Sequence, residues 1–266
     1  MVAEPAGDPR TLFAVAGKRV LVTGGSRGIG RMIAHGFLAG GASVLITARR
    51  AEECHRAAQE LSEVAADGAT VRAVPGDVAS PEGAAALVEA VEGRLDVLVN
   101  NAGATWGAPL EDYPAAAWRK VLGVNVEAVF ALTVALLPAL RAAASPDDPS
   151  RVVTIGSVDG IVVPGTENYA YAASKAAVHQ LTRVLAARLA AESITVNAVA
   201  PGPFDSRMMA WALDDPGARE RIAASVPLGR VGRPDDMAGV ALWLASRAGS
   251  YVTGAVIPVD GGITAR

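Results

Sequence analysis

The 266-residue chain has one cysteine, three histidines, no basic tract and no long uninterrupted hydrophobic run. Each shortage removes a class of function. The lone Cys54 excludes an intrachain disulfide and suits a reducing compartment; set in the polar stretch AEECHRAAQEL, it reads as an ordinary helical residue. His35, His55 and His179 stand far apart without ligand-like spacing, so no metal site is expected. Lys and Arg number 24 against 27 Asp and Glu, a formal net charge of −3. With no basic run and no interleaving of basic and aromatic residues, nothing points to nucleic acid. The longest apolar stretch, Val129 to Leu140, is too short to span a bilayer and contains Pro138. The leading MVAEPAGDPRTLFAVAGKR is acidic before it is basic and is broken by Pro and Gly, unlike a secretory signal. The expectation is a soluble, cytoplasmic protein with neither a membrane nor a nucleic-acid partner.

What the chain does contain is a regular alternation. From Lys18 onward, short β-branched runs alternate with Ala-rich segments. Strands are expected at 19–23, 43–47, 70–74, 95–99, 151–155, 194–199 and 255–259. These runs are almost continuously apolar, as parallel strands covered on both faces should be. Helices are expected at 28–39, 51–64, 81–92, 114–143 with a weak point near Gly123, 169–191 and 234–245. This pattern predicts an α/β fold: a single-domain, Rossmann-like, doubly wound parallel sheet of about seven strands with helices on both faces. Residues 1–17 read as a loose extension and 18–266 as the domain. The insertion at about 203–227 carries Phe204, Met208, Met209 and Trp211 after a strand end, where such sheets bind ligands. It reads as a flap over the site, or as apolar residues packing the segment to the body.

Two stretches carry chemistry. Thr23-Gly24-Gly25-Ser26-Arg27-Gly28-Ile29-Gly30 follows the first strand and opens the first long helix. Glycines there permit a tight turn and close backbone approach to a pyrophosphate, which the helix N-terminus then attracts. At the end of the second strand, where an acid would bind the ribose of NAD, the chain has Thr47-Ala48-Arg49-Arg50. Together with Arg27, these cations suit a 2′-phosphate, so NADPH/NADP+ is the expected cofactor. Further on, Tyr171 and Lys175 stand four apart on a helix and therefore share a face. At roughly 4 Å and an effective dielectric near 20, the ammonium attracts a phenolate by about 4 kcal/mol. That is enough to lower the phenol pKa by up to about 3 units before burial opposes it.

With the glycine loop, the Tyr171/Lys175 pair and Leu98-Val-Asn-Asn-Ala-Gly103 in view, the chain resembles the short-chain dehydrogenase/reductase family from about Lys18 to Gly262. Its finer pattern (GGSRGIG, Trp106-Gly107, NYAYAASKAAVHQL and PGPFDSRM) is similar to the rhamnolipid-type β-ketoacyl (3-oxoacyl) reductase branch. The gap from Ser157 to Tyr171 is one residue longer than in most of the family, read as a lengthened loop. The resemblance implies catalytic roles for Asn125, Ser157, Tyr171 and Lys175. It implies cofactor contacts for Asp77 and the adjoining Val78 (adenine), Asn101, Ala102 and Gly103 (ribose), and Pro201, Gly202 and Ser206 (nicotinamide). Trp106, Phe204, Met208, Met209 and Trp211 suit an apolar acyl or polyketide-like substrate.

The expected activity is NADPH-dependent reduction of a ketone, most aptly a 3-oxoacyl thioester, to a secondary alcohol. The alternatives are an alcohol or sugar/polyol dehydrogenase using the same residues, and a non-catalytic NADP-binding sensor. The resemblance also implies a homotetramer. Delivery by an acyl carrier protein stays open, because Asp147, Asp148 and Glu192 occupy positions that are basic in housekeeping carrier-protein reductases.

Overall fold

The structure, a computed structural model, describes residues 8–206, 209 and 215–265. The seven apolar runs form parallel strands: β1 Arg19–Thr23, β2 Ser43–Thr47, β3 Val71–Ala73, β4 Val97–Asn100, β5 Ser150–Ile155, β6 Ile194–Pro201 and β7 Val256–Val259. They lie in one sheet in the order β3-β2-β1-β4-β5-β6-β7. Since β2 and β4 flank β1 on opposite sides, the winding reverses there. A crevice opens at the carboxyl ends of β1 and β4, the usual ligand position of such sheets.

The helices are α1 Pro9–Leu12, α2 Gly28–Ala39, α3 Ala51–Ser62, α4 Pro81–Ala90, α5 Ala115–Leu122, α6 Ala128–Ala143, α7 Tyr169–Leu189, α8 Pro216–Ser225 and α9 Pro234–Ala245. One core layer brings Ile33 and Phe37 of α2, Leu61 of α3, and Met237 and Leu244 of α9 against the sheet. The other brings Leu87 of α4, Leu132 and Leu136 of α6, and Leu189 of α7. Each fully buried side chain of this size contributes about 1.5–3 kcal/mol, so the two layers fix the strand ends that carry the site.

Cys54 belongs to the first layer. It is a helical residue of α3, fully buried, and burial pushes its thiol pKa up. The leading segment is anchored before Lys18: Val15 is buried and the Gly17 amide donates to Gly41 O at 2.9 Å. The run Ala115–Ala143 has the length and apolar character to cross a membrane. In the fold it passes through a π-helical turn at residues 123–127, and α6 turns Val129, Leu132, Leu136 and Leu140 into the core.

At the opposite end of the sheet, Asp148 joins two cations. Lys18 Nζ lies 2.7 Å from Asp148 Oδ2, and Arg151 Nη1 lies 2.5 Å from Oδ1. Arg151 is 1% exposed and also donates to Ser246 O at 2.9 Å. Burial pushes the Asp148 carboxyl up, but the two cations together outweigh it and hold its pKa below the usual range.

Candidate active site

The glycine loop is built by exclusion. Gly24 and Gly28 have φ of +65° and +52°, a region that L side chains disfavour. A β-carbon on Gly30 would land on Asn101 Nδ2 and Gly24 O, and one on Gly25 would lie 2.7 Å from Ile46 Cγ2. No side chain caps the N-terminus of α2. The first-turn amides of a 12-residue helix are therefore left to an external acceptor, as a dinucleotide phosphate requires.

The loop is tied to the end of β4. Thr23 Oγ1 accepts from the amides of Asn101 and Ala102, both at 2.9 Å, while Asn101 Nδ2 donates to Thr23 O at 2.8 Å and Gly24 O at 3.2 Å. Asn101 thus spends its side chain holding the turn. Beyond β6, Pro201 ends the strand and the Gly202 amide donates to Val259 O at 3.0 Å. The chain then passes over the loop, so that a β-carbon on Gly28 would sit 3.1 Å from Ser206 Cβ. Ile29 packs against the core, as Val78 does on the other face. Asp77, just past β3, accepts from the Ala79 amide at 3.0 Å through Oδ1.

The cations beside this loop are not equivalent. Arg27 Nη1 lies 2.8 Å from Glu53 Oε1, and Arg50 Nε lies 3.5 Å from Glu53 Oε2. Ser26 Oγ also reaches Glu53, at 3.4 Å. Arg49 is exposed and makes no hydrogen bond or ion pair among the described residues. The sequence pattern had no place for Glu53, an acid among the very arginines that suit an anion.

The second half of the site is a buried polar knot. The weak point near Gly123 is a π-helical turn, Gly123–Glu127, across which the Ala128 amide reaches back five residues to Gly123 O. Such turns mark functional sites because they re-aim side chains and free a backbone group. Asn125, 2% exposed, accepts from the Ala104 amide at 2.8 Å and donates to Ala104 O and Ser174 Oγ, both at 2.9 Å. One side chain thus locks the loop after β4 to α7.

Ser157, Tyr171 and Lys175 come together. Lys175 is buried, donates to Ile155 O at 2.7 Å and stands 5.4 Å from the centre of the Tyr171 ring. A β-carbon on Gly103 would be 3.4 Å from Asn125 Oδ1 and 3.9 Å from Lys175 Nζ, so Gly103 faces the same space. The direction of the Tyr171 pKa differs from what helix spacing predicts. Burial pushes the phenol up to about 12; a hydrogen bond with Ser157 works against this, and the Asp159 charge adds to it. Burial likewise pushes Lys175 down to about 8, with Asp159 opposing. Helix spacing puts the two side chains beside each other. The ammonium, however, is turned to the Ile155 carbonyl, and burial of the phenol exceeds the attraction.

Several expected residues fall elsewhere. Phe204 is 2% exposed, and its ring fills the space over Gly232, so it packs the flap to the body while also bordering a cavity there. A cavity of about 490 Å³ lies next to it, between Pro203, Leu228, Arg230, Asp236 and Asp260; it is separate from the Tyr171 cluster. Met208 and Trp211 lie outside the described residues, and Met209 is partly buried. Trp106 is 40% exposed beneath Lys120, whose Nζ is 5.5 Å from the indole centre.

Tyr113 carries no signal in the sequence pattern. Its hydroxyl donates to Trp106 O at 3.1 Å and accepts from the Ala170 amide at 3.3 Å, bridging the loop after β4 to the first turn of α7. His179 is buried between Gly156 and Gly160 with Nε2 unpaired, and burial drives its pKa down to about 4. Among the described residues no three of His, Cys, Asp or Glu could together hold a metal ion.

A strand, glycine turn and uncapped helix beside a Ser-Tyr-Lys cluster and a π-turn asparagine define an NADP(H)-dependent oxidoreductase acting on CH–OH and C=O groups, and the chain belongs to the short-chain dehydrogenase/reductase family. The family profile described as Enoyl-(Acyl carrier protein) reductase matches residues 24–264. The chain is 52% identical over 253 residues to the rhamnolipids biosynthesis 3-oxoacyl-[acyl-carrier-protein] reductase of Pseudomonas aeruginosa, covering 94% of this chain and 97% of that one. The galactitol 2-dehydrogenase (L-tagatose-forming) of Cereibacter sphaeroides is 40% identical over 258 residues, covering 97% and 99%. Among solved structures, the Pseudomonas aeruginosa RhlG/NADP active-site complex superposes with a TM-score of 0.91 at 51% identity, over 96% of this chain and 99% of that one.

Proposed function

We propose that the chain uses NADPH to reduce the ketone of a 3-oxoacyl thioester, or a similar acyl ketone, to a secondary alcohol. The observation that carries this reading is the Ser157–Tyr171–Lys175 cluster, with Ser157 and Lys175 buried and Gly103 beside Lys175. Its substrate class is supported by the 52% identity to a 3-oxoacyl reductase. The glycine loop with Thr23, Gly24, Ser26, Gly28, Ile29 and Gly30 would hold the pyrophosphate, and Arg49 with Arg27 the 2′-phosphate. Asp77, Val78, Asn101 and Ala102 would border the adenosine, and Pro201, Gly202 and Ser206 the nicotinamide. When bound, NADPH supplies a hydride to the carbonyl carbon.

The chain's own residues handle the proton. Tyr171, held protonated by its burial, donates the phenolic proton to the carbonyl oxygen. Ser157 donates a hydrogen bond to that same oxygen, and Lys175 places a positive charge beside the tyrosinate that remains. Asn125 keeps the π-turn and the loop after β4 in register, so that solvent can return a proton.

Two substitutions test the cofactor contacts. Arg49→Asp raises the NADPH KM by far more than the NADH KM, because it places a like charge against the 2′-phosphate. Glu53→Gln acts the other way, tightening NADPH binding about two- to fivefold by releasing Arg27 and Arg50, the scale of a partly exposed ion pair. Fluorescence titration with both nucleotides reads each effect, and equal shifts for NADPH and NADH would remove the assignment.

The function itself is tested by NADPH consumption against a chain-length series of 3-oxoacyl thioesters, on coenzyme A and on acyl carrier protein, beside polyols and sugars. Thioesters should exceed polyols by more than tenfold in kcat/KM. The reverse order would transfer the reading to a polyol dehydrogenase, and tight NADPH binding without any turnover would make the chain a sensor. For the carrier, Asp148 is matched by Lys18 and Arg151, and Glu192 by Arg141 and Arg188, so neither acid is an unbalanced charge. Assembly as a homotetramer and a cytoplasmic location belong to the same reading; outward-facing Phe130 and Val134 of α6 and Val184 of α7 are side chains that a second copy would cover.

A further inference from the structure

Asp159 is a carboxylate at the site to which the proton and hydride chemistry gives no task. It follows Ser157 by two residues in the short turn after β5, and its amide donates to Ser157 Oγ at 3.1 Å. One carboxylate oxygen, Oδ2, accepts from Asn168 Nδ2 at 2.9 Å, which closes the base of the loop that spans 160–167. The next residue, Gly160, is pressed against α7 so closely that a β-carbon would lie 2.7 Å from the Lys175 carbonyl carbon and the Ala176 amide. The turn therefore has no freedom to swing its acid away. Asp159 remains partly exposed, and its charge is felt by both Tyr171 and Lys175, raising the proton affinity of each.

We propose that Asp159 is a specificity-determining residue: a fixed negative charge beside Ser157 and Tyr171 that turns away ketones bearing an anionic group near the carbonyl and admits neutral esters and thioesters. The inference rests on the proposed ketone-reducing function. Two charges of one sign held close together repel even where water partly reaches one of them, whereas a neutral ester of the same shape meets no such penalty. The loop-closing hydrogen bond with Asn168 gives Asp159 a structural use as well, and the two uses separate cleanly. Asp159→Asn keeps an oxygen to accept from Asn168 and loses only the charge. Asn168→Ala keeps the charge and loses the bond.

The probes are 3-oxooctanoate and its methyl ester, which differ in charge but not in the reacting ketone. For the wild type, kcat/KM for the ester exceeds that for the acid by a hundredfold or more. Asp159→Asn narrows this ratio by about tenfold, chiefly through the KM of the acid, and Asn168→Ala leaves the ratio in place. Calorimetric titration of both compounds into NADP+-loaded protein gives the same comparison without turnover. If neither compound is reduced, yet the ester binds better and Asp159→Asn narrows the gap, the Asp159 inference stands and the reductase function falls. If the ester is reduced and the ester-to-acid ratio is the same in wild type and Asp159→Asn, the function stands and the inference is overturned.

Discussion

Phenylalanine in place of Tyr171 cuts ketone reduction by about 10² to 10⁴ in kcat, the range of positioned general-acid catalysis, and leaves NADPH affinity within about twofold of wild type. The substitution removes one hydroxyl from a side chain whose ring already rests beside Lys175, 5.4 Å from the ammonium. The ring stays, Lys175 keeps its bond to Ile155 O, and the glycine loop is untouched. What disappears is the proton donor.

The pH dependence follows from the directions of the shifts. Burial holds the phenol pKa at about 12, so Tyr171 is an acid throughout the neutral range. The deficit of the variant should then be nearly constant from about pH 6 to about pH 7 and narrow above about pH 8, where only the wild type loses the help of the Lys175 charge. Lys175, brought down to about 8, is charged below that value and loses its charge above it. Wild-type reduction should therefore decline on the alkaline side before Tyr171 itself ionises. Single-turnover NADPH absorbance, with fluorescence titration for binding, measures both. A variant within tenfold of wild type would end the assignment of Tyr171 as the acid.

The second large effect concerns stability. Asp148→Ala removes the carboxylate shared by Lys18 and by Arg151, which is 1% exposed. Breaking a buried ion pair by deleting one partner costs about 3–5 kcal/mol, because the other charge is left without compensation. The half-exposed Asp148 side chain lets water reach part of the cluster, so the lower end, about 3 kcal/mol, is expected. Neighbouring Asp147 is exposed, and Asp147→Ala should change stability by less than about 0.5 kcal/mol. Urea melts of the two variants make the comparison. Equal midpoints would show that Ser246 O and the charge of Asp96 compensate Arg151 sufficiently.

The frame of the molecule was legible because parallel strands buried on both faces leave unbroken β-branched runs. Observed strands β1 and β2 match the expected spans residue for residue, and the others shift by one or two. The π-turn left its mark as Gly123 inside an otherwise apolar helix. Helix α8 escaped notice because ARERIAAS, after Pro216-Gly217, carries no apolar stripe. Phe204 was legible as apolar and as lying past a strand end, but its direction depends on Gly232, 28 positions further on.

The largest discrepancy is the sign of the Tyr171 shift. Spacing along a helix reports which groups are neighbours, yet the pKa also depends on how much protein surrounds them and where a long side chain finds its acceptor. Lys175 finds Ile155 O. Glu53 and Tyr113 were invisible for a related reason: their partners lie 26 positions away at Arg27 and 57 away at Ala170.

The reversal of winding at β1 has an evolutionary consequence. With the contacts proposed above, coenzyme preference is written on the β1–β2 flank and carbonyl chemistry on the β4–β6 flank, and Asn101 ties the two together. Descendants of such a chain can trade one nucleotide for another, or one class of ketone for another, by editing opposite wings of a single sheet.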